Sequence, residues 1–161
     1  MQKAIFLDRD GVINVDRGYV HTIEDFEFIP GLFEALRHFQ RLGYKLIIVT
    51  NQSGIGRGYY SEEDFLRLSK WMREQLLKEG IEIADIFYCP HHPDSDCLCR
   101  KPKSGMLEEA IKKHRVDPSQ SWMIGDKPSD IEAARSAGID RTILIGEDAQ
   151  SIFDTIKIIK G

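Results

Sequence analysis

The sequence predicts an α/β fold in which helices cover both faces of a central parallel sheet. Short, uniformly apolar runs alternate along the chain with segments whose apolar residues recur at helical spacing. Uniformly apolar strands are typical of a sheet that is buried on both faces, and strand–helix alternation is typical of parallel strands. Ligands of such folds bind where the carboxyl ends of the strands meet, so the residues after each strand are candidates for function.

The individual elements are predicted from apolar periodicity and from signals at their ends. The predicted strands lie at residues 3–7, 46–49, within 81–88, 122–124 and 142–145. The predicted helices begin near residues 32, 61, 106, 131 and 152. Ser61 followed by Asp64 has the pattern of a capping box, and Gly80 is suited to end that helix. We interpret the glycine-rich residues 54–58 as a flexible loop, and residues 11–30 as a functional flap because the connection is unusually long.

Length and composition indicate one globular domain that spans residues 1–161. The net charge of -4 argues against nucleic acid as a partner, because such binding favours a basic surface. The apolar run at residues 4–7 is too short for a secretory signal, and no run approaches the roughly 20 apolar residues of a membrane span. We therefore expect a cytoplasmic monomer that binds neither nucleic acid nor a membrane.

Two carboxylates, Asp8 and Asp10, follow the first predicted strand and can project to the same side. Such a pair is costly unless a cation shares it, and Mg²⁺ accepts carboxylate oxygens together with a substrate phosphate. One carboxylate can also attack phosphorus while the other protonates the leaving oxygen. The segment alone fits an acidic turn that caps a structural element equally well.

Three later residues extend this chemistry. Thr50 follows the second strand, Lys101 precedes a helix, and Asp126 follows a further strand. A hydroxyl group and an ammonium group can stabilise a transferring phosphoryl group, and a third carboxylate could complete the ligands of a metal. Taken singly, Thr50 could cap a helix and Lys101 could lie in a solvated basic turn. Asp130 could orient Lys127 or a metal-bound water, or it could simply cap the helix that follows.

Together these residues resemble the four motifs of the haloacid dehalogenase (HAD) phosphatases, and the resemblance covers nearly the whole chain. The motifs correspond here to Asp8 with Asp10, Thr50, Lys101 and Asp126. The resemblance implies a three-layer, Rossmann-like HAD fold, a magnesium-dependent hydrolase and an aspartyl-phosphate intermediate. It also implies a minimal cap, with only the flap and a metal-bound loop to cover the site.

A second group of candidate ligands lies in residues 89–99, which contain all three cysteines of the chain. An odd, clustered set of cysteines in a cytoplasmic protein indicates a metal site before it indicates disulfides. Three cysteines and one histidine would fill a tetrahedral, structural Zn²⁺ site, and spacing alone does not choose between His91 and His92. The alternative is a set of buried or free thiols with two surface histidines.

Within the superfamily, the chain is similar to the D-glycero-D-manno-heptose-1,7-bisphosphate 7-phosphatases, which are relatives of the histidinol-phosphate phosphatases. The similarity lies in residues 6–11, 18–21, 49–54 and 89–106. It implies that Asp8 is the nucleophile and Asp10 the acid/base, with Thr50 and Lys101 stabilising the phosphoryl group. It implies Mg²⁺ ligands at Asp8, Asp10 and Asp126, and Zn²⁺ ligands at Cys89, His91, Cys97 and Cys99. It implies substrate contacts at Asp16, Arg17, Gly18, Tyr19, Ser53, Arg100 and Lys127. Asn51 and Gln52, which follow Thr50, are further candidates because their side chains offer donors for phosphate oxygens.

The reaction implied by this resemblance is removal of the C7 phosphate from a phosphorylated sugar, heptose 1,7-bisphosphate. The product would serve carbohydrate metabolism as a precursor of nucleotide-activated heptose for lipopolysaccharide or an S-layer. Two departures from the family concern positions where sugar specificity could be set: residues 93–96 form a short loop, and Arg17 replaces a frequent histidine. The alternatives are a histidinol-phosphate phosphatase of histidine biosynthesis and a catalytically dead, zinc-stabilised binding module. A phosphotransferase or a polynucleotide phosphatase is a weaker alternative.

Overall fold

The computed structural model describes residues 1–160, and its centre is a five-stranded parallel sheet. The strands are β1 (Ala4–Leu7), β2 (Lys45–Asn51), β3 (Asp85–Cys89), β4 (Trp122–Gly125) and β5 (Arg141–Leu144). They lie side by side in the order β3, β2, β1, β4, β5, and each neighbouring pair is parallel. The predicted parallel sheet is therefore confirmed, with β1 at its centre.

Within residues 1–160, five α-helices and two short 3₁₀ helices surround this sheet. The α-helices are α1 (Leu32–Arg41), α2 (Ser53–Gly56), α3 (Glu62–Lys78), α4 (Gly105–His114) and α5 (Pro128–Ser136). The 3₁₀ helices are Pro118–Gln120 and Ile152–Lys157. Two predictions were wrong in detail. The first residues of the predicted loop at 54–58 belong to the one-turn helix α2, and the last predicted helix is 3₁₀ rather than α. In that helix the hydroxyl of Thr155 donates to the main-chain oxygen of Ile152 at 2.6 Å, which competes with regular helical bonding.

The uniformly apolar strands are explained by two hydrophobic cores, one on each face of the sheet. In β1, Ile5 and Leu7 point into the core under α1 and α3, whereas Ala4 and Phe6 point into the core under α4 and α5. All four side chains are fully buried. Because full burial of a large apolar side chain contributes about 1.5–3 kcal/mol, both faces of this strand stabilise the fold.

The beginning of α3 shows the capping box that the sequence predicts. The main-chain N–H of Asp64 donates to the Ser61 hydroxyl at 3.0 Å, and the main-chain N–H of Ser61 donates to the Asp64 carboxylate at 2.9 Å. These bonds satisfy donors that a helix leaves unpaired at its first turn.

The flap, residues 11–30, joins β1 to α1 and folds back on itself. The N–H of Val15 donates to the oxygen of Glu27 at 2.8 Å, and the N–H of Ile29 donates to the oxygen of Ile13 at 2.9 Å. These bonds pair the beginning of the flap with its end, directly after β1. None of the helices in the described residues is long and apolar enough to cross a membrane.

Candidate active site

Asp8, at the carboxyl end of β1, lies beside the ammonium group of Lys101. The two residues are 7% and 4% exposed, and Lys101 Nζ donates to Asp8 Oδ1 at 3.0 Å. Lys101 Nζ also donates to the main-chain oxygen of Val49 at 2.9 Å and lies 2.6 Å from Asp130 Oδ1. The lysine is therefore fixed between two carboxylates at the edge where the strands end.

Burial raises the pKa of Asp8 to about 7, although the Lys101 ammonium acts in the opposite direction. The carboxylates of Asp130, Asp10 and Asp126 act in the same direction as burial and contribute to this raised pKa. Burial also opposes the charged form of Lys101, but the neighbouring Asp8 and Asp130 carboxylates raise its pKa above the ordinary value. The site therefore holds an excess of carboxylates that Lys101 alone does not balance.

A divalent cation fits this excess of carboxylates. Carboxylate oxygens of Asp8, Asp126 and Asp130 lie within 4.8 Å of one another, and Oδ1 of Asp126 is buried without a hydrogen-bond partner. Burial, and then the Asp130 carboxylate, raise the pKa of Asp126. Gly11 has a positive φ of 89°, and a Cβ at that position would overlap the Asp126 carboxylate. Glycine is therefore required for the close approach of Asp126 to the turn after β1.

Asp130 is already fully engaged within this group. Its Oδ2 accepts the main-chain N–H groups of Asp126 and Lys127, both at 3.1 Å, while its Oδ1 faces Lys101. Asp130 thus caps α5 and orients the side chain of Lys101. Asp130 was predicted either to orient Lys127 or a metal-bound water, or to cap the helix that follows. The structure shows the cap, and the lysine that Asp130 contacts is Lys101 rather than Lys127.

The carboxylate of Asp10 lies outside the group that could hold a metal. Its Oδ1 accepts from Arg9 Nη2 at 2.9 Å and from Asn14 Nδ2 at 3.0 Å. Oδ2 has only a weak contact, at 3.4 Å, with Gln52 Nε2. A contact of Asp10 with a metal ion would therefore use Oδ2 or the main-chain oxygen.

The polar residues at the carboxyl end of β2 are tied to their neighbours. The Thr50 hydroxyl, 1% exposed, accepts from Gln52 Nε2 at 3.0 Å, and Tyr60 donates to Gln52 Oε1 at 2.5 Å. Asn51 makes two hydrogen bonds with the main chain of Lys101, at 3.0 and 3.3 Å. Asn51 and Gln52 therefore hold the site together, in addition to facing the cavity.

A polar cavity of about 560 Å³ opens above these residues. All but one of the predicted substrate-contacting residues line it, namely Asp16, Gly18, Tyr19, Asn51, Gln52, Ser53, Arg100 and Lys127. Arg17 does not, because its guanidinium donates to the main-chain oxygen of Asp25 and to Glu27 within the flap. The sequence did not indicate Arg57, Tyr60 and Ser129, which also line the cavity.

Cys89, His91, Cys97 and Cys99 converge in the loop between β3 and α4. Each offers a ligand atom, and these atoms lie within 4.8 Å of one another. His91 Nδ1 lies 3.4 Å from Cys89 Sγ and 3.2 Å from Cys99 Sγ. His92 is turned away, because its Nδ1 accepts the main-chain N–H of Asp94 at 3.1 Å. The structure thus brings together the four residues that the resemblance implied.

Within this cluster, Cys89 and Cys99 form a disulfide and Cys97 is free. This pairing differs from the predicted metal site, since the same two sulfurs cannot serve both. A disulfide alone does not explain why the side chains of His91 and Cys97 also lie beside the sulfurs of Cys89 and Cys99. Cys89 Sγ lies 3.6 Å from Cys97 Sγ, and thiolates on one tetrahedral Zn²⁺, with Zn–S near 2.3 Å, lie about 3.8 Å apart. The four side chains therefore fit a metal ion when Cys89 and Cys99 are reduced.

The cluster is coupled to the candidate active site through the chain that follows it. Arg100 and Lys101 come directly after Cys99, and the N–H of Gly105 donates to the oxygen of Leu98 at 3.1 Å. A Cβ at Gly56 in α2 would overlap the main chain at His91 and His92. The loop is thus packed between α2 and the start of α4.

Comparison with known proteins agrees with this geometry. The profile of the haloacid dehalogenase-like hydrolases matches residues 2–138. A D-glycero-beta-D-manno-heptose-1,7-bisphosphate 7-phosphatase of Pasteurella multocida is 49% identical to the chain, over 100% of the chain and 98% of the relative. A D-glycero-alpha-D-manno-heptose-1,7-bisphosphate 7-phosphatase of Photorhabdus laumondii is also 49% identical, over 89% of the chain and 82% of the relative.

The fold also matches a solved structure. The crystal structure of the D,D-heptose 1,7-bisphosphate phosphatase from B. bronchiseptica, complexed with magnesium and phosphate, superimposes on the chain with a TM-score of 0.85. The match covers 98% of this chain and 97% of that chain, at 26% sequence identity. The similarity therefore includes the carboxyl edge of the sheet and the loops around it.

Proposed function

Because the chain belongs to the haloacid dehalogenase-like hydrolases, we propose that it removes the C7 phosphate from D-glycero-D-manno-heptose 1,7-bisphosphate. One observation carries this proposal: Lys101, which is paired with the buried Asp8, lines a polar cavity together with Arg100 and Lys127, and Asp126 lies beside Asp8. The first three residues suit transfer of one phosphoryl group, and the two outer cations suit a second anionic group on the same substrate. Relatives of about 50% identity carry the corresponding name.

In the proposed reaction, Asp8 attacks phosphorus with the carboxylate oxygen that Lys101 does not bind. The new Asp8–phosphorus bond forms as the bond from phosphorus to the C7 oxygen breaks, and Asp10 delivers a proton to that oxygen. Water then attacks phosphorus, Asp10 takes its proton, and the Asp8–phosphorus bond breaks. Lys101 and the Thr50 hydroxyl stabilise charge on the phosphoryl oxygens.

Mg²⁺ is the metal that we propose for the carboxylate group, with the carboxylates of Asp8 and Asp126 and the main-chain oxygen of Asp10 as its ligands, so that Asp10 Oδ2 stays free to carry a proton. The fit rests on the buried, unpartnered Oδ1 of Asp126 and on the excess of carboxylates around Asp8. When bound, Mg²⁺ would neutralise charge on the carboxylates and on the phosphoryl oxygens.

The proposal is tested by assaying the purified protein on a panel of phosphate esters. The panel contains both anomers of heptose 1,7-bisphosphate, heptose 7-phosphate, hexose phosphates and histidinol phosphate. The highest kcat/KM should belong to one of the two bisphosphates. A higher kcat/KM for histidinol phosphate would favour the alternative in histidine biosynthesis, and the absence of any turnover would favour a binding module.

Arg100 should select the bisphosphate substrate. Its planar guanidinium suits two hydrogen bonds to a phosphate, and remote binding energy of this kind helps to orient the reacting centre. In Arg100→Ala we expect kcat/KM for the bisphosphate to fall by roughly 10-fold or more relative to kcat/KM for 4-nitrophenyl phosphate. Arg135→Ala, which removes an exposed guanidinium from α5, should leave this ratio unchanged. An unchanged ratio in Arg100→Ala would remove Arg100 from substrate selection.

We further propose that the cysteine cluster holds a structural Zn²⁺ through Cys89, His91, Cys97 and Cys99. Four protein ligands leave no open position on the ion, so its function would be to fix the loop. The loop leads directly into Arg100 and Lys101, and Lys103 Nζ donates back to the main-chain oxygen of Cys97 at 2.7 Å. Zinc would thereby hold the residues that contact phosphate.

Metal analysis of protein purified without a chelator should find about one Zn²⁺ per chain. Cys97→Ser should lower the zinc content and the melting temperature, because one thiolate ligand is lost, and should lower activity less than loss of an active-site carboxylate. Ser95→Ala, in the same loop, should retain the metal. A zinc-free protein whose Cys89 and Cys99 resist alkylation until they are reduced would show that the disulfide is the working state.

The remaining proposals concern the setting of the enzyme. We propose that residues 1–161 act as a single, monomeric phosphatase domain in the cytoplasm, in the synthesis of nucleotide-activated heptose. The net charge of -4 supports a small phosphorylated sugar rather than nucleic acid as the partner. Size-exclusion chromatography with light scattering would measure the oligomeric state.

A further inference from the structure

The guanidinium of Arg9 is a buried cation that the proposed reaction leaves without a role. Arg9 is 2% exposed and lies in the chain between the candidate nucleophile and the candidate acid/base. Its Nη2 donates to Asp10 Oδ1 at 2.9 Å and to the main-chain oxygen of Val20 at 2.7 Å. Val20 belongs to the flap, so a single nitrogen joins Asp10 to the segment that covers the cavity.

The surroundings of Arg9 hold it in this one position. Its central carbon lies 5.9 Å from the ring centre of Phe26, in the flap, and 6.0 Å from that of Phe65, in α3. Cations at this distance from aromatic rings are attracted to them. Among the described residues, Nε and Nη1 have no acceptor although both are buried, which costs free energy. Such exceptions to ordinary pairing are expected at functional sites.

Arg9 also determines which oxygen of Asp10 is free. Oδ1 accepts from Arg9 and from Asn14, whose side chain is fully buried. Because two donors point at Oδ1, a proton carried by Asp10 belongs on Oδ2. Asp10 lines the cavity, and Oδ2 has only its weak contact with Gln52.

We propose that Arg9 is a positioning residue that directs Asp10 Oδ2 toward the leaving oxygen and fastens the flap to Asp10 through Val20. The inference rests on the proposed function, in which Asp10 protonates the leaving group. One consequence is that the position of the flap at Val20 and the orientation of the acid depend on the same guanidinium.

The dependence of kcat/KM on the leaving group tests whether Arg9 directs Asp10 Oδ2 toward the leaving oxygen. A sugar hydroxyl needs a proton as it leaves, whereas 4-nitrophenolate needs almost none. Arg9→Lys keeps the charge but replaces the planar fork with a single point donor. We expect its kcat/KM for the sugar phosphate to fall about 10- to 100-fold more than its kcat/KM for 4-nitrophenyl phosphate. With the nitrophenyl ester, a burst of product should precede a slow steady state, because the second step also needs Asp10.

Hydrogen exchange of the main-chain amides tests whether Arg9 fastens the flap through Val20, and this measurement does not depend on activity. The amides of residues 16–21 should exchange faster in Arg9→Lys than in the wild type, and faster again in Arg9→Met if that variant folds. Arg37→Met is the matched control, because Arg37 also donates to one carboxylate and one main-chain oxygen, both of Glu79, at 2.7 and 2.8 Å. It should lower the melting temperature but change neither the ester ratio nor exchange in the flap.

The two readouts separate this proposal from the proposed function. Equal falls for both esters in Arg9→Lys would overturn the positioning of Asp10. Unchanged exchange in the flap would overturn the fastening through Val20. If the wild-type protein hydrolysed neither ester, the proposed function and the positioning of its acid would both fail, and the exchange comparison would still decide whether Arg9 fastens the flap.

Discussion

Asp8→Asn should reduce phosphatase activity to near background, by roughly 1,000-fold or more, while the fold survives. The amide cannot attack phosphorus, and it offers a poorer ligand to Mg²⁺. The expected stability follows from the neighbours of Asp8: Lys101 keeps its partner Asp130, and an amide oxygen can still accept from Lys101 Nζ. Removing a buried charge whose pKa is raised by burial also relieves a desolvation cost.

Trapping of the phospho-enzyme distinguishes the nucleophile from the acid/base. With 4-nitrophenyl phosphate, Asp10→Asn should accumulate protein phosphorylated at Asp8, because the first step still proceeds and the second step lacks its base. Asp8→Asn should show no phosphorylated protein in the same mass measurement. Asp140→Asn, at an exposed position, serves as the control and should retain full activity. If Asp8→Asn retained a large share of the activity, covalent catalysis at this residue would be wrong.

The elements that could be predicted from the sequence are those whose signals are local. Apolar runs such as residues 46–49 match strands of the sheet, and the Ser61 capping box stands where α3 begins. The residues that follow parallel strands meet at the carboxyl edge of the sheet, so the sequence alone could place Asp8 and Asp126 together. The helix α2 was missed because a single turn that contains two glycines carries no helical periodicity.

The contacts that could not be predicted are of two kinds. Some join residues that are far apart in the chain, and others depend on the burial of a side chain whose sequence neighbours indicate exposure. Asp130 fits an ordinary helix cap, and nothing local indicates that its second oxygen lies 2.6 Å from Lys101 Nζ. Arg9 stands between two acidic residues in the sequence, where an exposed side chain would be the usual expectation. Its burial depends on Phe26 and Phe65, which lie in the flap and in α3.

Lys101→Met should be the most destabilising of the substitutions considered, and it should also abolish efficient turnover. The ammonium group is the cation that separates the buried carboxylates of Asp8 and Asp130, at 3.0 and 2.6 Å. Removing one partner of a buried ion pair leaves an uncompensated charge, which typically costs about 3–5 kcal/mol. Urea unfolding should be measured without Mg²⁺, which would offset the loss, and without chelator, which would strip zinc from the loop.

The origin of this loss can be tested by removing the charge that Lys101 leaves behind. Adding Asp130→Asn to Lys101→Met should recover part of the free energy of unfolding, because one of the two uncompensated carboxylates is neutralised, but should recover no activity. Lys113→Met is the matched control: it breaks an ion pair with Asp85 at 2.8 Å, but Lys113 is 61% exposed, so the loss should stay below about 1 kcal/mol. If Lys101→Met were no less stable than Lys113→Met, the carboxylates would not depend on Lys101 for their burial. Stability without activity in the double variant would instead show that Lys101 both balances the buried charge and acts on the phosphoryl group.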